Sequence, residues 1–361
     1  MEFLGRESAG VVSIACSSAS TTSFATLSSH GALTLWDVRI PRRNYMTLRN
    51  PNKVAAPEAS ELRYLHDRHT AIALCGKTVQ LFDTRRCISC VSELTNDKEC
   101  VAFLRDEPPA GCATTLIVDD DGGIFAYNTA DGSRPAYMET YIFGQPERSA
   151  VPTGSRFGRL TNYCSGLHCV DLPPDEGDIA TRLLFVVGMD GEGALYSGPD
   201  DTDATRVAFS ITHESPTRSN AQMINPPLVN CTAVCGAQVA VGRADGMYSV
   251  YEVQRTGLDE AMSSPGHAIN GLCYVDWVSP EVLLTASLCG EVTGWAVGAF
   301  MADSGGEAEE EAEGPEVVEA LAYREVPGCE LATVNCADRL SGMQYIFGDY
   351  LGGLALAQLS H

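Results

Sequence analysis

Short apolar runs alternate with polar positions along most of the chain, and one phrase comes back seven times. It consists of a turn, usually with glycine, then apolar residues at every second position, then an aromatic. It reads GALTLWD (31–37), KTVQLFD (77–83), GGIFAYN (122–128), GEGALYS (191–197), GMYSVYE (246–252), GEVTGWA (290–296) and GGLALAQ (352–358). A period of two puts one set of side chains on one face, so each copy is predicted as a half-buried strand. Two further strand-like runs precede the phrase, such as VVSIACS and SFATLSS before the first copy and INGLCYV and EVLLTASL before the sixth. Three strands followed by a fourth, looser one make a propeller blade.

The predicted fold is therefore all-β: a single seven-bladed β-propeller over residues 1–361. Its blades fall at roughly 9–50, 58–95, 97–142, 163–212, 229–262, 267–300 and 329–359. The aromatic position recurs after 46, 45, 69, 55, 44 and 62 residues, with the surplus in Pro- and Gly-containing stretches at about 143–163, 213–228 and 301–328. The last copy ends at Gln358, so residues 1–8, with their EFLG run, are expected to supply the missing fourth strand of blade seven. Closing the ring this way removes open strand edges; an open solenoid would need caps that the sequence does not show.

Composition narrows the setting. No run reaches the ~18 apolar residues of a membrane-crossing helix, and Glu2, Arg6 and Glu7 interrupt MEFLGRESAG before a signal-peptide core builds. The 14 cysteines sit singly in apolar strand runs. That usage fits small buried hydrophobes in a reducing compartment, the cytoplasm or nucleus. The net charge is −23, but residues 1–86 carry eleven Lys and Arg against seven Asp and Glu. The acidic remainder argues against nucleic-acid binding, which needs cations against phosphate. A basic quarter on an acidic ring gives two different faces for protein partners. The run from Asp303 to Glu319 holds eight acidic residues and reads as a solvated, flexible insert at 301–328 rather than a packed element.

The repeated phrase resembles the WD-repeat family. Trp36-Asp37 is the full WD dipeptide, Phe82-Asp83 is a near match, and Gly266-His267 stands 28 residues before Trp295 as a repeat-opening Gly-His. Asp121, Asp190 and Asp245 hold the turn position whose carboxylate braces a blade in that family. His30, Gly76, Cys289 and Leu351 replace it elsewhere, and Ala357 replaces the last aromatic. INPPLV (224–229), the run from Gly266 to Trp295, the acidic insert and the short final blade repeat the order of features in one subfamily.

That resemblance also implies a candidate site. WDVR (36–39) and FDTRR (82–86) each place an arginine two residues after the WD-type aspartate. In the family, WDxR marks substrate receptors that dock on the damaged-DNA-binding protein 1 adaptor of cullin-4 ubiquitin ligases. Trp36, Asp37, Arg39, Phe82, Asp83, Arg85 and Arg86 are therefore the partner-binding candidates. The chemistry is a forked guanidinium meeting a carboxylate or carbonyl. The competing reading is a rim arginine in water or paired within its own blade.

Other motifs lack their context. Cys87 and Cys90 would need a second ligand pair for zinc, and the other candidate, Cys231 and Cys235, falls in a different blade. CGKT (75–78) lacks the first glycine and the following helix of a phosphate loop. DDDG (119–122) lacks the alternating ligands of a calcium loop. GxSxG and HExxH are absent. The expectation is a non-catalytic interaction adaptor, monomeric on its own, with no cofactor and an unknown client. The alternative is a structural subunit of a ribosome-biogenesis or ciliary complex.

Overall fold

The computed structural model describes residues 2–7, 9–17, 20–40, 44–48, 59–65, 69–85, 88–105, 114–130, 137–138, 149–150, 160, 162–174, 181–198, 206–211, 227–265, 271–297, 316–322 and 333–359. Seven antiparallel sheets follow one another along the chain. Blade one holds β2 (Val11–Cys16), β3 (Ser23–Ser28), β4 (Leu33–Asp37) and β5 (Asn44–Leu48). Blade two holds β6 (Ala59–Tyr64), β7 (Thr70–Cys75), β8 (Thr78–Asp83) and β9 (Ser89–Thr95). Blade three has β10 (Cys100–Phe103), β11 (Thr114–Asp119) and β12 (Ile124–Asn128) among the described residues, and a separate pair, β13 (Tyr137–Met138) and β14 (Ser149–Ala150), follows it.

Blade four contains β15 (Cys164–Leu172), β16 (Thr181–Gly188), β17 (Glu192–Tyr196) and β18 (Arg206–Ser210). Blade five contains β19 (Val229–Cys235), β20 (Gln238–Arg243), β21 (Met247–Gln254) and β22 (Gly257–Pro265). Blade six runs through β23 (Leu272–Ser279), β24 (Val282–Ser287) and β25 (Glu291–Ala296) to β26 (Glu316–Ala322). Its fourth strand thus comes from within the stretch read as an acidic excursion: Glu316, Val317, Glu319 and Leu321 all pair with β25. Charge density hid this strand, because a sheet's outermost strand tolerates carboxylates on its solvent face.

Blade seven holds β27 (Val334–Ser341), β28 (Gln344–Asp349) and β29 (Gly353–Gln358), and β1 (Glu2–Arg6) completes it with Glu2 opposite Leu356 and Arg6 opposite Gly353. The expected closure by the N-terminal strand is what the chain does. The core shows the same thing independently. Seven apolar clusters form, one between each adjacent pair of blades, and the seventh joins the two ends of the ring. There Leu4, Val11, Ile14, Phe24 and Trp36 pack on Leu340, Ile346 and Leu354. Each fully buried Leu, Ile or Phe contributes about 1.5–3 kcal/mol, so inter-blade burial dominates the stability.

Two local devices repeat around the ring. All seven innermost strands carry a bulge after their first residue, at Val12, Ser60, Val101, Ser165, Asn230, Cys273 and Asn335. Four of these side chains lace a blade to the next. Ser60 Oγ donates to the Cys100 carbonyl (3.1 Å), Ser165 Oγ to Val229 (2.7 Å), Asn230 Nδ2 to Leu272 (3.0 Å) and Asn335 Nδ2 to Val11 (3.0 Å). The second device is the turn into each third strand, where Gly31, Gly76, Gly122, Gly191, Gly246, Gly290 and Gly352 all have positive φ. Glycine adopts that conformation without the Cβ penalty, which explains the glycine that opens most copies of the phrase.

The braces at these turns correct the expected pattern. Asp190 and Asp245 accept the Glu192 and Met247 amides at 3.2 Å, as their position implies. Asp121 instead pairs with Lys98 at 2.9 Å, and Asp119 braces blade three by accepting the Gly123 amide at 2.8 Å. Blades that carry His30, Cys289 or Leu351 still have a brace. Ser28 accepts the Ala32 amide, Ser287 the Glu291 amide and Asp349 the Gly353 amide, each from three residues before the turn glycine. Either site lets a short oxygen reach an otherwise unpaired turn amide.

Candidate functional site

The sequence-derived candidates divide between core and rim. Trp36 is 3% exposed, stacks on Phe24 at 6.2 Å between centroids, and donates from Nε1 to Thr26 Oγ1 at 2.9 Å. Thr26 in turn donates to Glu7 Oε1 at 2.5 Å, tying the WD tryptophan to the closing segment. Trp295 repeats the bond with Thr285 at 2.8 Å in blade six. Phe82 is also buried, against blades one and two. Trp36 and Phe82 therefore hold strands together and offer no surface.

Asp37 ends β4, and the chain turns back at once. The Arg39 amide donates to Asp37 Oδ1 at 2.9 Å, while Arg39 Nε and Nη2 reach Oδ1 (2.9 Å) and Oδ2 (2.5 Å). Blade two repeats this clasp. The Arg85 amide and Nε meet Asp83 Oδ1 at 2.9 and 3.0 Å, and Nη2 meets Oδ2 at 2.5 Å. The arginine hydrogen bond holds the Asp37 carboxyl below the usual range, and the equivalent bond lowers Asp83 to about 2. Each arginine is thus paired within its own blade, while its side chain stays outward, 71% and 67% exposed. Arg39, Asp37, Arg85 and Asp83 lie on the same rim, in the connections from third to fourth strand of adjacent blades. Arg86 lies outside the described residues.

A second feature was not read from the sequence. The innermost strands enclose a cavity of about 880 Å3. Counted from the bulge, Arg63, His168, Asp276 and Asp338 occupy one position in blades two, four, six and seven; Arg105 and Arg339 occupy the next in blades three and seven. All six line the cavity. Arg339 is taken up by Asp276 (Nε to Oδ2, 2.7 Å), the Trp277 carbonyl and the Tyr345 ring. Arg63 meets Glu61 at 3.5 Å and the Arg105 carbonyl. His168 Nε2 lies 2.9 Å from Thr232 Oγ1, and burial, then Arg105 and Arg63, push its pKa well below the usual value. Its ring is neutral at pH 7.

Cavity thiols are not activated. Burial pushes Cys164 and Cys231 up to about 12 and raises Cys16, Cys273 and Cys336 as well. A thiol held protonated is neither a nucleophile nor a ready metal ligand. Among the described residues, no three His, Cys, Asp or Glu side chains converge as a metal site. The Gly76–Lys77 segment is a strand turn, and Cys87 lies outside the described residues. The charged side chains of the rim and cavity are equipped for ion pairs and hydrogen bonds.

No protein-family model matches the chain, and no curated protein matches it. The seven blades are consistent with the WD-repeat class of fold, and such propellers are commonly interaction scaffolds.

Proposed function

We propose that this protein is a non-catalytic adaptor that docks through the rim of blades one and two and holds a client elsewhere on the ring. The observation that carries this reading is the repeated clasp: adjacent blades present an Asp-anchored, outward arginine in the same geometry. Anchoring spends the Nε–Nη2 edge but fixes the direction of the guanidinium and leaves Nη1 for a partner, which lowers the ordering cost of a charge-assisted contact. The partner that fits is acidic or carbonyl-rich. The WDxR resemblance points to the damaged-DNA-binding protein 1 adaptor of cullin-4 ligases, in the cytoplasm or nucleus. The subfamily likeness of INPPLV and blades five to seven is to WD repeat-containing protein 53.

Affinity capture of the tagged chain and its Arg39→Glu/Arg85→Glu variant tests the proposal. The wild type should recover the adaptor and exchange it, and charge reversal should abolish recovery. Persistent co-migration with one giant assembly, unaffected by the variant, would replace this reading with the structural-subunit one.

A further inference from the structure

Two charged groups on the cavity wall stand out because, among the described residues, neither forms an ion pair. Among the described residues, the Arg105 guanidinium has one partner, the Thr232 carbonyl at 3.2 Å, although guanidinium carries five donors. Asp338 accepts the Cys16 amide at 2.6 Å and the Arg339 amide at 2.9 Å, with the Cys16 thiol also hydrogen-bonded to its carboxylate. Burial raises its carboxyl to about 6, outweighing the amide hydrogen bonds and the nearby Arg63 charge that favour the ionised form. Neighbouring charges are already committed: Asp276 to Arg339, and Arg63 to Glu61 and a carbonyl.

Blade three carries Arg105 and blade seven carries Asp338. They are three blades apart by the shorter way round a seven-blade ring, on opposing walls of the same 880 Å3 cavity. Arg105 leans away from blade seven, across blade four to the blade-five carbonyl. Opposite charges with unused bonding capacity on facing walls recognise a molecule that carries both complementary charges. A single anion would meet Asp338, and a single cation would meet Arg105.

We infer that the central cavity binds a small zwitterion, with its carboxylate on Arg105 and its ammonium group on Asp338. The volume suits an amino-acid-sized molecule with its hydration water.

The test is thermal denaturation and titration calorimetry of the full chain with a graded panel: glycine, 4-aminobutyrate, 6-aminohexanoate and 8-aminooctanoate. Butyrate, butylamine and inorganic phosphate serve as single-charge probes. At least one amino acid should raise the melting midpoint at millimolar concentration, with an optimum in chain length, and the single-charge probes should not. Arg105→Met and Asp338→Asn should each weaken that response tenfold or more. Circular dichroism checks their folding, and the wild-type panel decides the question without them. A flat response to every amino acid overturns the inference. So does equal stabilisation by phosphate or butyrate, or undiminished binding by both folded variants.

Discussion

Removing residues 1–7 takes away β1, and its consequences can be worked from contacts already described. Leu4, 1% exposed, leaves the seam cluster, which costs about 2 kcal/mol. The ladder between Glu2–Arg6 and β29 is lost, at about 1 kcal/mol for each net hydrogen bond. Glu7 also goes, with its amide bond to the Gly352 carbonyl (2.8 Å) and its hold on Thr26, leaving the Trp36–Thr26 pair without its terminal acceptor. Together the loss is on the order of 6 kcal/mol, comparable with the whole stability of many domains. Urea unfolding followed by tryptophan fluorescence is the natural assay, because buried Trp36 lies at the seam. The truncated chain should unfold at far lower urea or fail to fold, and a synthetic peptide of residues 1–8 should restore part of the loss in trans. Val91→Ser, at a 56% exposed position, serves as a control and should change stability by less than about 0.5 kcal/mol. A truncated chain within about 1 kcal/mol of the full one would refute closure by β1.

Three further outcomes follow. Asp338 binds its proton more tightly in the folded chain, with its carboxyl raised to about 6, so its contribution to stability is complete below the ordinary aspartate value and fades as pH rises through 6. Asp338→Asn should flatten that part of the pH–stability profile, and an unchanged slope between pH 5 and about 7 would count against the assignment. Gly122→Ala meets both a positive φ of 74° and a Leu160 carbonyl 2.5 Å from the new Cβ, whereas Gly236→Ala meets positive φ in open space. Gly236→Ala should cost about 1 kcal/mol and Gly122→Ala clearly more; equal melting midpoints would refute the close approach. Arg39→Ala/Arg85→Ala should leave the melting midpoint unchanged, since both side chains project into solvent.

The blades were legible because a strand advertises its buried face within six residues, and seven copies leave little room for another architecture. Closure by EFLG was legible from a deficit at the far end of the chain. β26 was not, because carboxylates at 316 and 319 made an outer strand read as a charged loop. The Ser28, Ser287 and Asp349 braces were not legible because a shift of two residues within a turn keeps its hydrogen bond while leaving the WD-repeat pattern. The Asp37–Arg39 and Asp83–Arg85 clasps are local, and within-blade pairing was one of the two readings their spacing allowed. The cavity charges come from five different blades, between residues 63 and 339, and meet only once the ring closes. No local pattern marks a group assembled that way.

The central functional claim is that the blade one and two rim docks an acidic partner, and titration calorimetry with the purified cullin-4 adaptor tests it most directly. The wild-type chain should bind, and Arg39→Ala/Arg85→Ala should bind at least about a hundredfold more weakly, with its fold intact. Equal affinity for both chains, or no binding by the wild type, would contradict it.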